Sequence, residues 1–171
     1  MIEIVPYDPR WPREFEAERD RIRAAFGPRA IRIDHNGSTA VPGLAAKPVI
    51  DIQVSVEPLH PVDAHAPLLD GLGYVHPPHA GNDPCPFFHR PAVWPHTHHV
   101  HLVEAGGDEE WRTLAFRDYL RAHAETGREY EALKRRLAVE HRGGDAASRE
   151  AYATAKTAFV ERVLSLAAAR R

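Results

Sequence analysis

HNGSTAVPGLAAKPVIDIQV, residues 35–54, decides how this chain is read. Gly37-Ser38 follows one predicted strand, and Asp51 lies inside the next, predicted over residues 49–56. Period-two alternation puts Ile50, Ile52, Val54 and Val56 on one face of that strand and Asp51, Gln53 and Ser55 on the other. Glycine lets backbone amides approach an anion closely, and the Ser38 and Thr39 hydroxyls add donors, so this turn can cradle a phosphate. Lys47 in the same loop adds a point charge. An acid within an apolar strand needs a partner, and a metal ion is one. Gln53 complicates that reading. Two-metal phosphoryl chemistry uses carboxylates two apart on a strand, because they project to the same side. Here the second position is an amide, a poor substitute where magnesium is the metal. The plain alternative is that Asp51, Gln53 and Ser55 line a solvated sheet face.

Outward from this stretch, residues 2–5 are short and β-branched, and a charged helix is predicted over residues 12–26, with Pro12 in its first turn and Gly27 at its end. Phe15, Ile22 and Phe26 share its buried stripe. Residues 30–34 alternate as a strand leading into Asn36-Gly37-Ser38. A helix over about residues 61–72 ends at Gly73. Residues 76–96 are rich in Pro, Gly and His, so strands there must be short or at an edge, with Phe87 and Phe88 marking one. A firmer strand runs over residues 97–104 before the Gly106-Gly107 turn. Three helices follow, over about residues 108–125, 128–141 and 147–169, with Leu114, Leu120, Leu133, Leu137, Phe159, Val163 and Leu166 in their buried stripes. Strands early and helices late predict an α+β fold, read as one domain over residues 1–171.

His99 and His101, two apart on the 97–104 strand, can give two imidazoles to one metal, with Asp51 as third ligand if the strands are neighbours. His96 and His98 fit this less well. Arg117 and Arg121 share a helical face, as do Tyr130 with Lys134 and Tyr152 with Lys156. Over the sheet, such faces clamp a polyphosphate while a tyrosine stacks on a base; otherwise they are solvated helix surface. Cys85 has no adjacent base in sequence, and neither a Walker loop nor a GxGxxG fingerprint is present.

Composition narrows the classes. Lys and Arg number 22 against 24 Asp and Glu, so no field favours wholesale binding to nucleic acid or to an anionic membrane. The single cysteine excludes an intrachain disulfide and a thiolate zinc cluster, which suits a reducing compartment, with cytoplasm the default. The first residues lack the basic start and apolar run of a signal peptide, and no stretch approaches membrane-spanning length.

VPYDPRWP with its helix, HNGSTAVPGLAAKPVIDIQV, the HHVHLVE strand, FRDYLRAH, and YEALKRRLA followed by Tyr152, Lys156 and Phe159 together resemble the GrpB family, over nearly the whole length. That family looks like the nucleotidyltransferase superfamily. The resemblance implies a mixed sheet flanked by helices, with Gly37-Ser38 as the phosphate turn and Asp51 as the first metal carboxylate. In active members of the superfamily the residue matching Gln53 is Asp or Glu, and a later-strand carboxylate matches the His99–His101 segment, where imidazole changes the preferred metal. Related domains fused to dephospho-CoA kinase point to nucleotide or coenzyme metabolism. The leading expectation is a protein that binds a nucleotide or other phosphorylated small molecule. In it Gly37, Ser38, Thr39, Lys47, Gln53, Arg117, Arg121, Tyr130 and Lys134 contact the ligand, and Asp51, His99 and His101 hold a divalent metal (Mg, Mn or Zn). Asp51 is the catalytic residue if nucleotidyl transfer to an acceptor occurs. The alternatives are a non-catalytic ligand-sensing or interaction domain, and a metal-binding protein or hydrolase built on the His-x-His pair.

Overall fold

The computed structural model describes residues 2–78, 81–143 and 145–169. It is an α+β structure around one four-stranded mixed sheet of order β1-β2-β4-β3, made of β1 (Arg32–Asn36), β2 (Ile50–Val56), β3 (Phe87–Arg90) and β4 (His98–Glu104). β2 runs antiparallel to β1 and parallel to β4, and β3 closes the far edge antiparallel to β4. Flanking it are α1 (Trp11–Phe26), the short α2 (Ala66–Asp70), α3 (Asp108–Ala122), α4 (Ala124–Glu140), α5 (Ala146–Thr154) and α6 (Thr157–Ala168).

The two faces of the sheet do different work. Ile50, Ile52, Val54, Val56, Val100 and Leu102 face α1 and α2 and form one cluster with Trp11, Ile22, Phe26 and Leu69. Burying each of these aliphatic side chains contributes about 2 kcal/mol. Pro12 sits in the first turn of α1, and Gly27, at φ +54°, ends it in a conformation that costs glycine little. The opposite face is covered by α3 and the helices after it, so it is not solvated: Gln53 and Ser55 are fully buried. The Oε1 of Gln53 accepts from the Thr113 hydroxyl on α3 and, at 3.5 Å, from Asn36 Nδ2.

Several boundaries differ from expectation. β1 lies two residues later than the alternation predicts, because a short helical turn, Gly27–Arg29, follows α1. The expected 61–72 helix is only a turn at Val62–Ala64 and α2, interrupted at His65, with Pro67 in the first turn of α2. The final helix is two, broken at Ala155-Lys156: Tyr152 packs with Ile2 and Leu137, while Val163 and Leu164 are buried further along. Leu166, expected in the buried stripe, is 40% exposed, and Leu164 takes its place.

A buried carboxylate ties α1 to the sheet edge. Glu18, 4% exposed, accepts from Tyr74 Oη (2.9 Å), from Arg21 (2.7 Å) and from both terminal nitrogens of Arg90 (3.1 and 3.0 Å). Burial pushes its pKa up, but the hydrogen bonds from Arg21, Tyr74 and Arg90 outweigh that and hold it below the usual range. Its stabilising contribution is therefore present above the ordinary glutamate pKa and is lost as pH falls through the lowered one. Replacing Glu18 by Gln leaves Arg90 without its anion, and we expect a loss of about 3 kcal/mol in urea denaturation at pH 7. A variant within about 0.5 kcal/mol of the parent would show that the cluster holds nothing together.

Candidate functional site

The sheet register assembles the site. Antiparallel pairing sets Asn36 opposite Asp51, which delivers Gly37 to the Asp51 side chain at the end of β1. Gly37 has φ +66°, and a Cβ there would lie 3.0 Å from Asp51 Cβ and Cγ and closer still to Oδ2. Only glycine fits, in both conformation and space. Parallel pairing sets His99 opposite Asp51 and His101 opposite Gln53. Asp51 Oδ1 is 3.1 Å from His99 Nδ1 and 3.9 Å from His101 Nε2, and ligand atoms of the three residues lie within 4.8 Å of one another. Among the described residues this is the group of three or more potential metal ligands.

Burial pushes the Asp51 carboxyl up, but the His99 hydrogen bond and the charges of His99, His101 and Lys47 pull it down further, to about 2. It is ionised at neutral pH. Burial lowers the His101 pKa against the pull of Asp51, which favours the neutral imidazole that a metal requires. Each histidine has a partner behind it: His99 Nε2 lies 3.1 Å from His96 Nδ1, and His101 Nδ1 lies 3.7 Å from Cys85 Sγ. Burial, with Glu109 and Asp83 adding to it, pushes the Cys85 thiol up to about 12, so it is a neutral neighbour.

These groups open onto a cavity of about 440 Å³, a volume in the range of small-molecule sites. Gly37, Ser38 and Thr39 line it beside Asp51, and Tyr130 enters it from α4. Lys47, Lys134 and Lys156 line it as well. Lys134 is 2% exposed, donates to the Ala45 carbonyl, and lies 4.8 Å from the Tyr130 ring centroid. Burial, reinforced by Lys156, brings its pKa down to about 7.

The sequence-predicted residues thus divide. Gly37, Ser38, Thr39, Lys47, Asp51, His99, His101, Tyr130 and Lys134 share the cavity. Gln53 does not reach it and is sealed under α3. Arg117 and Arg121 are also elsewhere: Arg117 donates to the His35 carbonyl (3.0 Å) and sits 3.7 Å from Asp34, and Arg121 donates to the Ala40 carbonyl (2.8 Å). They brace the backbone on either side of the Gly37 turn from outside. The spacing of four gave their shared face, but not which wall that face meets. Trp94, His96 and Arg149 line the cavity without a sequence signal for it, coming from the proline-rich loop before β4 and from α5.

The UPF0157 protein YqkA of Bacillus subtilis is 38% identical over 140 residues, which are 82% of this chain but 40% of that protein, so the chain spans well under two thirds of it. A dephospho-CoA kinase of Mycolicibacterium paratuberculosis is 35% identical over 78% of this chain and 39% of its own length. The crystal structure of the conserved protein GrpB from Enterococcus faecalis superposes with a TM-score of 0.82 at 31% identity, covering 96% of both chains. The family model described as GrpB protein matches residues 1–166, and the chain belongs to that family.

Proposed function

We propose that this chain binds a nucleotide or another phosphorylated small molecule at a single divalent metal ion held by Asp51, His99 and His101. The observation that carries the reading is the convergence of one ionised carboxylate and two imidazoles beside a glycine turn that no side chain could enter. Gly37, Ser38 and Thr39 are the phosphate turn, Lys47 and Lys134 neutralise the ligand, and Tyr130 lines the cavity beside them. Two imidazoles and one carboxylate suit zinc or manganese better than magnesium, which favours oxygen donors. Such an ion would polarise a phosphoryl oxygen or acidify a bound water. The partial likeness to a dephospho-CoA kinase supports a nucleotide-related ligand.

A two-metal transferase mechanism lacks its strand-borne second carboxylate here, because position 53 is Gln and meets Thr113 and Asn36 rather than the cavity. If the chain is catalytic, it is a one-metal nucleotidyl transferase or hydrolase with Asp51 as the metal carboxylate. If it is not, the same cavity serves as a ligand sensor.

Three measurements test this reading. Untagged protein, dialysed against zinc or manganese and analysed for metal, should carry about one ion per chain, and His99→Ala and His101→Ala should each lose at least tenfold in metal affinity. Equal metal content in parent and variants would end the metal reading. Nucleoside triphosphate with manganese should raise the melting temperature and shift the backbone resonances of residues 37–47; no change in either argues against a phosphorylated ligand. Gln53→Asp should not switch on magnesium-dependent turnover. It buries a carboxylate against Thr113 and should instead cost about 3 kcal/mol in denaturant unfolding, so new turnover in a stable variant would restore the two-metal view.

A further inference from the structure

The cavity that the metal ligands line holds more positive charge than that reading uses. Lys47 and Lys156 both approach the Tyr152 ring, with their ammonium nitrogens 5.4 and 4.5 Å from its centroid. Lys134 lies against Tyr130 in the same cavity. With Arg149, four cationic side chains line a space whose carboxylates are Asp51 and Glu150, and Asp51 is already engaged by its two histidines. The Tyr152 hydroxyl is a second, independent sign. Tyr152 is 1% exposed, lines the cavity, and its buried hydroxyl has no hydrogen-bond partner. An unmet buried hydroxyl and a surplus of ammonium groups both destabilise the empty cavity. One ligand answers both: an anion with several acceptor oxygens.

We propose that Lys47, Lys134, Lys156 and the Tyr152 hydroxyl form an anion subsite, in the cavity that the Asp51–His99–His101 cluster also lines, that takes the diphosphate of a small molecule. That the diphosphate shares the cavity with a metal rests on the reading above, but the subsite itself does not. One phosphoryl group offers too few acceptor oxygens and too little charge for three lysines and a hydroxyl beside the Gly37-Ser38 turn; a second supplies both.

The lysines are tuned as an empty anion site would be. Burial, with Lys47 adding to it and Asp51 opposing, brings Lys156 down to about 8. Around Lys134 stand Lys156, Glu131, Arg135 and Lys47. Both amines are partly deprotonated at pH 8, so an arriving anion should draw protons onto them, and binding should tighten as pH falls from 9 to 7.

The test is calorimetric titration of the full chain at pH 8 with inorganic pyrophosphate and with orthophosphate, in two buffers of different ionisation heat, both metal-loaded and chelator-stripped. Pyrophosphate should bind at least tenfold more tightly than orthophosphate, with net proton uptake. Lys156→Gln and Tyr152→Phe should each weaken it about tenfold, the loss expected for one charge-assisted hydrogen bond. Tyr152→Phe should leave the melting temperature of the ligand-free protein unchanged or raised, since it removes an unpartnered hydroxyl; this separates lost binding from lost fold. Equal affinity for the two anions, or variants that bind like the parent, overturns the subsite. Metal-loaded protein that ignores pyrophosphate overturns the subsite and leaves the metal reading standing. Pyrophosphate binding that depends on Lys156 in protein that takes up no metal supports the subsite and removes the metal reading.

Discussion

The register of the parallel pair β2–β4 is the constraint on which the site depends. Asp51 meets His99 because those residues are partners in that pairing. A slip of one residue would bring Val100 opposite Asp51 and turn the carboxylate's neighbours from imidazole to isobutyl and isopropyl groups. The slip is prevented from the other face, where Ile50, Ile52, Val54, Val100 and Leu102 are packed against α1 with almost no exposure. The hydrophobic face therefore sets the geometry of the polar one. β1 adds the third component, because its antiparallel pairing ends with Asn36 at Asp51 and so aims Gly37 at the carboxylate. The site lies where both parallel strands begin, opposite to the carboxyl-end crevice of doubly wound sheets. Here α3, α4, α5 and Lys156 just before α6 line the cavity at that end.

Electrostatically the cavity joins two unlike groups. On the sheet, Asp51 is kept ionised beside a His101 imidazole whose pKa burial lowers. Elsewhere, burial lowers the pKa of Lys134 on α4 and of Lys156 between α5 and α6, with Lys47 of the loop before β2 adding to it, and all three lie against tyrosine rings, an arrangement that softens repulsion without cancelling it. Asp51 is thus the fixed charge beside amines that burial makes easy to neutralise.

How much of this was legible in the sequence follows from what each signal encodes. Alternation in residues 49–56 and 97–104 is a local property with period two, and both strands were readable with their facing residues. The glycine and proline punctuation marked the end of α1 and the edge strand β3 for the same reason. The break between α5 and α6 was not readable, because neither glycine nor proline stands there; it arises from what each half packs against. Gln53 was misread as facing a ligand because periodicity tells which face a residue shares and not what covers that face. Arg117 and Arg121 failed similarly: their shared helical face was correct, but it meets the strand ends outside the cavity. Lys156 was visible only as a partner of Tyr152 at helical spacing, although the helix ends between them.

The Glu18 cluster has a consequence for which parts of the fold depend on one another. Arg90 reaches Glu18 across 72 residues and the Leu72 carbonyl across 18, so its guanidinium closes the base of the excursion between α2 and β4 while tying it to α1. Closing loops costs entropy before the contacts that reward it exist. The Arg90–Glu18 pair is such a long-range contact, and it makes the folded edge strand, and with it the loop carrying Trp94 and His96, depend on the first helix.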